Sequence, residues 1–140
     1  MFGPFDHVGY LVRDFDAALE HAQAVFALPV ARTAELPQYG ITAAFLGEGS
    51  GTLEIFTFAD PEVLDPRLEG AERRLDHVAF RVDDLDAVAA VLRAGGARFS
   101  GPDRRGETSE PIDLGGLRHL WTLPETTAGL AVQLTELPAQ

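Results

Sequence analysis

Asp6-His7-Val8-Gly9-Tyr10 returns later in the chain as Asp76-His77-Val78-Ala79-Phe80, an offset of 70 residues in a chain of 140. The correspondence runs past the histidines: Val12, Asp14, Asp16 and Ala17 reappear as Val82, Asp84, Asp86 and Ala87, while Phe15 answers Leu85. Self-similarity at half the chain length means one supersecondary unit used twice. It sets two histidines at equivalent points of two equivalent units. If those units pair about a pseudo-twofold axis, both histidines can face one central site.

Working outward from the repeat, each half reads in the same order. Residues 5–13 are β-branched and aromatic, which predicts a strand. Asp14 offers an N-cap, Asp16 adds negative charge to the first turn, and Ala17, Ala18, Leu19, Ala22, Val25 and Phe26 supply a helical apolar face. Leu28-Pro29 ends that helix. Strands are expected over 30–35, 41–46 and 52–58, with a glycine-rich turn at 47–51. Residues 59–74 hold Pro61, Pro66 and several acids and read as a linker with room for a helical turn. The second half opens with a strand at 75–83 and a helix capped by Asp84 and stopped by Gly95-Gly96. A short strand at 97–99, a long loop at 101–116 and strands at 117–123 and 129–136 complete it. The expectation is one α+β domain over 1–140, made of two tandem β-α-β-β-β modules, 1–58 and 75–140.

Composition narrows the function. Hydrophobic residues make up 46% and charged residues 24%, ordinary for a globular protein able to bury a core. No apolar run is long enough to span a bilayer, so no membrane partner is expected. Residues 1–6 lack the basic start and apolar stretch of a secretory signal, and a cytoplasmic location is the expectation. With no cysteine there are no disulfides and no thiolate ligands. A net charge of −11 repels a polyphosphate backbone and argues against nucleic acid as a partner. Arg73-Arg74 and Arg104-Arg105 read as solvated surface arginines.

Two further positions stand out beside the histidines. Thr52-Leu53-Glu54-Ile55-Phe56 and Leu130-Ala131-Val132-Gln133-Leu134 each set one polar side chain among apolar ones near the end of their module. Each module thus supplies a histidine from its first strand and an oxygen donor from its last. His7, Glu54, His77 and Gln133 form a mixed nitrogen and oxygen set suited to one divalent ion: Ni, Co, Mn, Fe or Zn. The bland alternative, a structural histidine and an edge-strand glutamate, weighs against any one of these residues taken alone. The duplicated histidine tips the balance, because a repeat does not by itself require one. His21 reads as solvent-facing on its helix, and His119 as a surface or packing residue, with lining of the cavity as the alternative. No P-loop, dinucleotide fingerprint or nucleophile elbow is present.

The chain resembles the vicinal oxygen chelate superfamily, which contains glyoxalase I, methylmalonyl-CoA epimerase, extradiol dioxygenases and the bleomycin and fosfomycin resistance proteins. The resemblance is carried by Asp6-His7-Val8-Gly9, Leu53-Glu54-Ile55, Leu75-Asp76-His77-Val78-Ala79-Phe80 and the stretch 124–134. It implies paired modules closing a cupped mixed β-sheet around a metal. Segment 121–130 is similar to the closing stretch of the epimerases, whose chemistry moves a proton next to a thioester. Against that pattern, Gln133 stands where the last ligand is usually Glu, and Ala43 stands about where epimerases keep an acid–base glutamate. Bacterial glyoxalase I ligands match at His7, Glu54 and His77. The resemblance therefore implies a metal-dependent isomerase or lyase acting by enolate-type proton transfer on a small carbonyl or acyl-thioester substrate, with Glu54 as the catalytic base. The expected assembly is a homodimer. A drug-binding resistance protein of the same fold is the second reading and an extradiol-type dioxygenase the third.

Overall fold

The computed structural model describes residues 1–48 and 52–138. Part of the turn expected at 47–51, residues 49–51, lies outside the described residues. The chain resolves into two compact units, one of residues 7–76 and one of residues 1–6 with 77–140.

The first unit is built from β1 (Phe5–Val12), α1 (Phe15–Phe26), β2 (Val30–Leu36), β3 (Ile41–Leu46), β4 (Thr52–Phe58) and α2 (Pro61–Leu68). Its strands lie in the order β2-β3-β4-β1. β1 and β4 are parallel, whereas β2–β3 and β3–β4 are antiparallel. Parallel neighbours need a long crossover, and α1, β2 and β3 provide it. Strand alternation divides the apolar residues between two faces. Val12, Ala44, Leu46 and Ile55 pack with Ala22 of α1. Leu11, Ile41, Ala43, Phe45, Phe56 and Phe58 pack with Val63, Leu64 and Leu68 of α2.

α2 is longer than the helical turn expected within 59–74. The Asp60 carboxylate accepts from the Glu62 amide at 2.9 Å and Pro61 sits at the first helical position, where its missing N–H costs nothing. Burial of Val63, Leu64 and Leu68 on the sheet then holds eight residues that composition alone marks as linker. Propensity is a weak prior, and tertiary packing overrides it here.

The second unit contains β5 (Arg73–Val82), α3 (Leu85–Ala94), β6 (Phe99–Ser100), β7 (Ile112–Leu114), β8 (Leu117–Thr122) and β9 (Val132–Glu136). The strand order is β5-β9-β8-β6, with β7 also paired to β8. β5 runs parallel to β9 as β1 does to β4. Val82, Leu85, Val88, Ala89, Phe99, Leu120 and Leu134 form its core. Both helices of the repeat start on the same cap: Asp14 accepts from the Ala17 amide at 3.1 Å and Asp84 from the Ala87 amide at 2.9 Å. Asp84→Ala should therefore lower stability by about 0.5–2 kcal/mol, read from the urea midpoint. It should not abolish the helix, because Glu136 also accepts from the Leu85 amide at 2.8 Å.

Three boundaries in this unit differ from expectation. The loop over 101–116 contains β7, which pairs Ile112 with His119 and Leu114 with Leu117. The short strand lies at Phe99–Ser100 instead of 97–99, because Ala97 is still tied to the helix end through a 3.0 Å bond to the Leu92 carbonyl. The last strand begins at Val132, not at 129. The Thr127 hydroxyl donates to the Leu130 carbonyl at 2.6 Å and the Thr122 hydroxyl accepts from the Val132 amide at 2.9 Å. These side-chain bonds, with the backbone turn bonds of Gly129 to the Pro124 carbonyl and Leu130 to the Thr127 carbonyl, hold the stretch before Val132 as a turn.

Residues 1–6 pack with the second unit. The Gly3 amide donates to the Arg81 carbonyl at 2.7 Å, the Arg81 amide donates to the Pro4 carbonyl at 2.9 Å, and Phe2 stacks on Phe80 at 5.1 Å. A Cβ at position 3 would fall 2.7 Å from the Arg81 carbonyl oxygen, so this approach needs glycine.

Candidate functional site

The first unit presents His7 and Glu54 on one face of adjacent strands. The parallel register sets Gly9 beside Glu54 and His7 beside Thr52, so His7 and Glu54 are diagonal neighbours. Gly9 has no side chain to fill the space next to the carboxylate. His7 Nε2 lies 3.5 Å from Glu54 Oε1, with side chains 3% and 12% exposed. That separation is longer than an ordinary N–H···O bond of about 2.7–3.2 Å. It fits two donors on one ion, because bonds of about 2.1 Å at 90–109° set neighbouring donors about 3.0–3.4 Å apart. The His7 ring lies at right angles to Phe45 at 5.2 Å, and the Arg32 guanidinium lies over the Phe45 ring at 3.7 Å. Glu54 lies on β4, between β3 and β1, so it is not an edge-strand residue.

The second unit repeats the arrangement. β5 and β9 set Ala79 beside Gln133, as β1 and β4 set Gly9 beside Glu54. His77 stands two residues before Ala79 as His7 stands two before Gly9. Both His77 and Gln133 are buried, 7% and 8% exposed. The antiparallel β8–β9 register sets Trp121 beside Gln133 and His119 beside Thr135, which brings these four side chains to one face.

Of the two roles expected for His119, surface and packing, the structure shows packing: it is 9% exposed and sits inside a polar cluster. Its Nδ1 lies 3.2 Å from the Gln133 amide nitrogen and 3.0 Å from the Thr135 hydroxyl, and its ring stacks on Trp121 at 5.5 Å. The alternation of β8 is the signal that could have found it: Leu120 faces the apolar core, so His119 and Trp121 must face the other way. His21 is exposed on α1, as expected. Arg74 is not merely solvated: it pairs with Glu69 at 2.6 Å and donates to the Arg67 carbonyl at 3.2 Å. Ala43 is packed among Leu11, Phe56 and Leu64 and offers no proton acceptor.

Residues 6–112 match the family model of the glyoxalase/bleomycin resistance protein/dioxygenase superfamily. The lactoylglutathione lyase of Haemophilus influenzae is 34% identical over 107 residues, covering 73% of this chain and 77% of that protein. Among solved structures, a methylmalonyl-CoA epimerase is 27% identical with a TM-score of 0.80, covering 99% of this chain and 98% of the other. The fold is also that of a Streptomyces coelicolor methylmalonyl-CoA epimerase variant in complex with 2-nitronate-propionyl-CoA, at 24% identity and a TM-score of 0.83 over 99% of this chain and all of that one. The α+β architecture with its mixed sheet and few helices is the one these structures share. The chain belongs to the glyoxalase/bleomycin resistance protein/dioxygenase superfamily.

Proposed function

We propose that the protein is a metal-dependent isomerase or lyase that moves a proton beside the carbonyl of an acyl thioester. Among the described residues, His7, Glu54 and His77 bring donor atoms within 4.8 Å of one another, a group that could hold one divalent ion, and we assign Gln133 as the fourth donor from its place in the repeat. The observation that carries the reading is the buried His7–Glu54 pair at ligand-to-ligand spacing, repeated in position by His77 and Gln133. The names of the relatives point to lactoylglutathione and methylmalonyl-CoA, both acyl thioesters, which supports that substrate class.

A divalent ion held by this set would supply Lewis-acid stabilisation of negative charge developing on a substrate oxygen. The chain's own part is to orient the substrate and to take and return the proton. Glu54 is the only carboxylate among the four donors, and its syn and anti lone pairs allow it to ligate or to accept a proton. Gln133 can donate oxygen to a cation but cannot serve as a base. Apolar packing at Ala43 removes the other position where a base is expected from family resemblance.

Protein purified without a histidine tag should carry about one divalent ion per chain, as one four-donor site with positions left for water or substrate requires. His77→Ala should lose that ion while the circular dichroism spectrum stays unchanged. Wild-type protein that stays metal-free after reconstitution with Ni, Co, Mn, Fe and Zn would exclude this function and favour a metal-independent binding role.

A further inference from the structure

Gln133 is an unusual donor to rely on. A carboxylate presents equivalent oxygens, whereas a glutamine amide presents an oxygen on one side and an NH2 group on the other. Only the oxygen has a lone pair for a cation. An amide free to rotate would offer the wrong group about as readily as the right one. A site that uses glutamine therefore needs something to hold the amide.

The second unit contains such a group. The Gln133 amide nitrogen faces His119 Nδ1 at 3.2 Å, inside a cluster in which Gln133, His119 and Thr135 are each 8–9% exposed. With the amide nitrogen on this side, Nδ1 is the acceptor, which corresponds to the tautomer that carries its proton on Nε2. The ring cannot turn away easily. Its face rests on Trp121 with an interplanar angle of 20°, and the Thr135 hydroxyl stands 3.0 Å from the same Nδ1. With its nitrogen so engaged, the amide turns its oxygen away from His119.

We propose that His119 is a positioning residue: it holds the Gln133 amide so that the oxygen, not the NH2 group, is available to the ion. This rests on the metal-binding reading given above. The repeat makes the requirement specific to one half. The β3–β4 register pairs Ala43 with Phe56 and Phe45 with Glu54, as β8–β9 pairs His119 with Thr135 and Trp121 with Gln133. The counterpart of His119 is therefore Ala43. Glu54 needs no such orienting group, because either of its oxygens will serve.

Co(II) binding by isothermal calorimetry tests the assignment in four proteins: wild type, His119→Phe, Gln133→Glu and the double variant. His119→Phe keeps a ring against Trp121 and removes Nδ1. It should weaken Co(II) binding about 10–100-fold, the usual effect of losing a group that orients a ligand. In the Gln133→Glu background the same change should leave affinity unaltered, since a carboxylate needs no choice of face. Equal losses in both backgrounds, or none in either, would overturn the assignment while leaving the metal site standing. Absence of Co(II) binding by the wild type would overturn the metal site and this assignment with it. Should His119→Phe fail to fold by circular dichroism, His119→Leu carries the same comparison.

Discussion

Arg67→Leu should lower the unfolding free energy by about 3–5 kcal/mol, the usual cost of breaking a buried ion pair from one side. Arg67 Nε donates to Asp76 Oδ1 at 3.2 Å and Nη2 donates to Oδ2 at 2.6 Å, a two-pronged contact whose side chains are 7% and 2% exposed. The guanidinium also lies 4.7 Å from the centre of the Phe58 ring. Truncating Arg67 leaves the Asp76 carboxylate in a poorly solvated place without its guanidinium partner. Removing both charges together, as Arg67→Leu with Asp76→Leu, should recover much of the loss, because no buried charge is then left over. Equilibrium urea unfolding of the three variants reads both effects. A loss below about 1 kcal/mol for Arg67→Leu, the range of exposed pairs, would show that water reaches this contact. The counterpart in the first repeat supplies the contrast. Asp6 pairs with Arg81 at 2.7 Å, but Arg81 is 50% exposed there, and such a pair contributes about 1 kcal/mol or less.

The repeat was legible because its physical requirements are local. A β-branched strand followed by Asp at the helix cap depends only on neighbouring residues, and Asp14 and Asp84 cap as read. The helix at Pro61–Leu68 was not legible, because its apolar side is narrow and its composition is that of a linker. It is fixed by contact with Ile41, Phe56 and Phe58, residues that become neighbours only once the sheet exists. The candidate site divides in the same way. His7, Glu54, His77 and Gln133 could be named as candidates because each half names the positions of the other. His119 had no such signpost. Its counterpart in the first half is Ala43, and its partners Gln133 and Thr135 lie on another strand. A polar residue that serves one half of a repeat is invisible to an argument from repetition.

Glu54→Gln should reduce proton transfer by about 10²–10⁴-fold at saturating metal, the usual contribution of a general base. The substitution retains side-chain size and an oxygen donor, but the counterpart of His119 in this half is Ala43, so nothing orients the new amide and the ion is held more weakly. Proton transfer is therefore compared at saturating metal, with the content of bound ion measured beside it. The register gives a reason to place the base here. The two positions at which family resemblance expects acid–base groups, 43 and 133, hold Ala and Gln, while their repeat counterparts, 119 and 54, hold His and Glu. Groups able to carry protons have thus changed halves, and Glu54 is the carboxylate among them. Wash-in of solvent deuterium beside the carbonyl of an acyl thioester that the wild type accepts, with methylmalonyl-CoA as the first one tried, measures the step. Gln133→Glu should keep the metal and raise the wash-in by restoring a second carboxylate at the position where it is expected. Full turnover by Glu54→Gln would move the base elsewhere, to His119 or to an acid of the 101–116 segment, and would leave Glu54 a ligand alone.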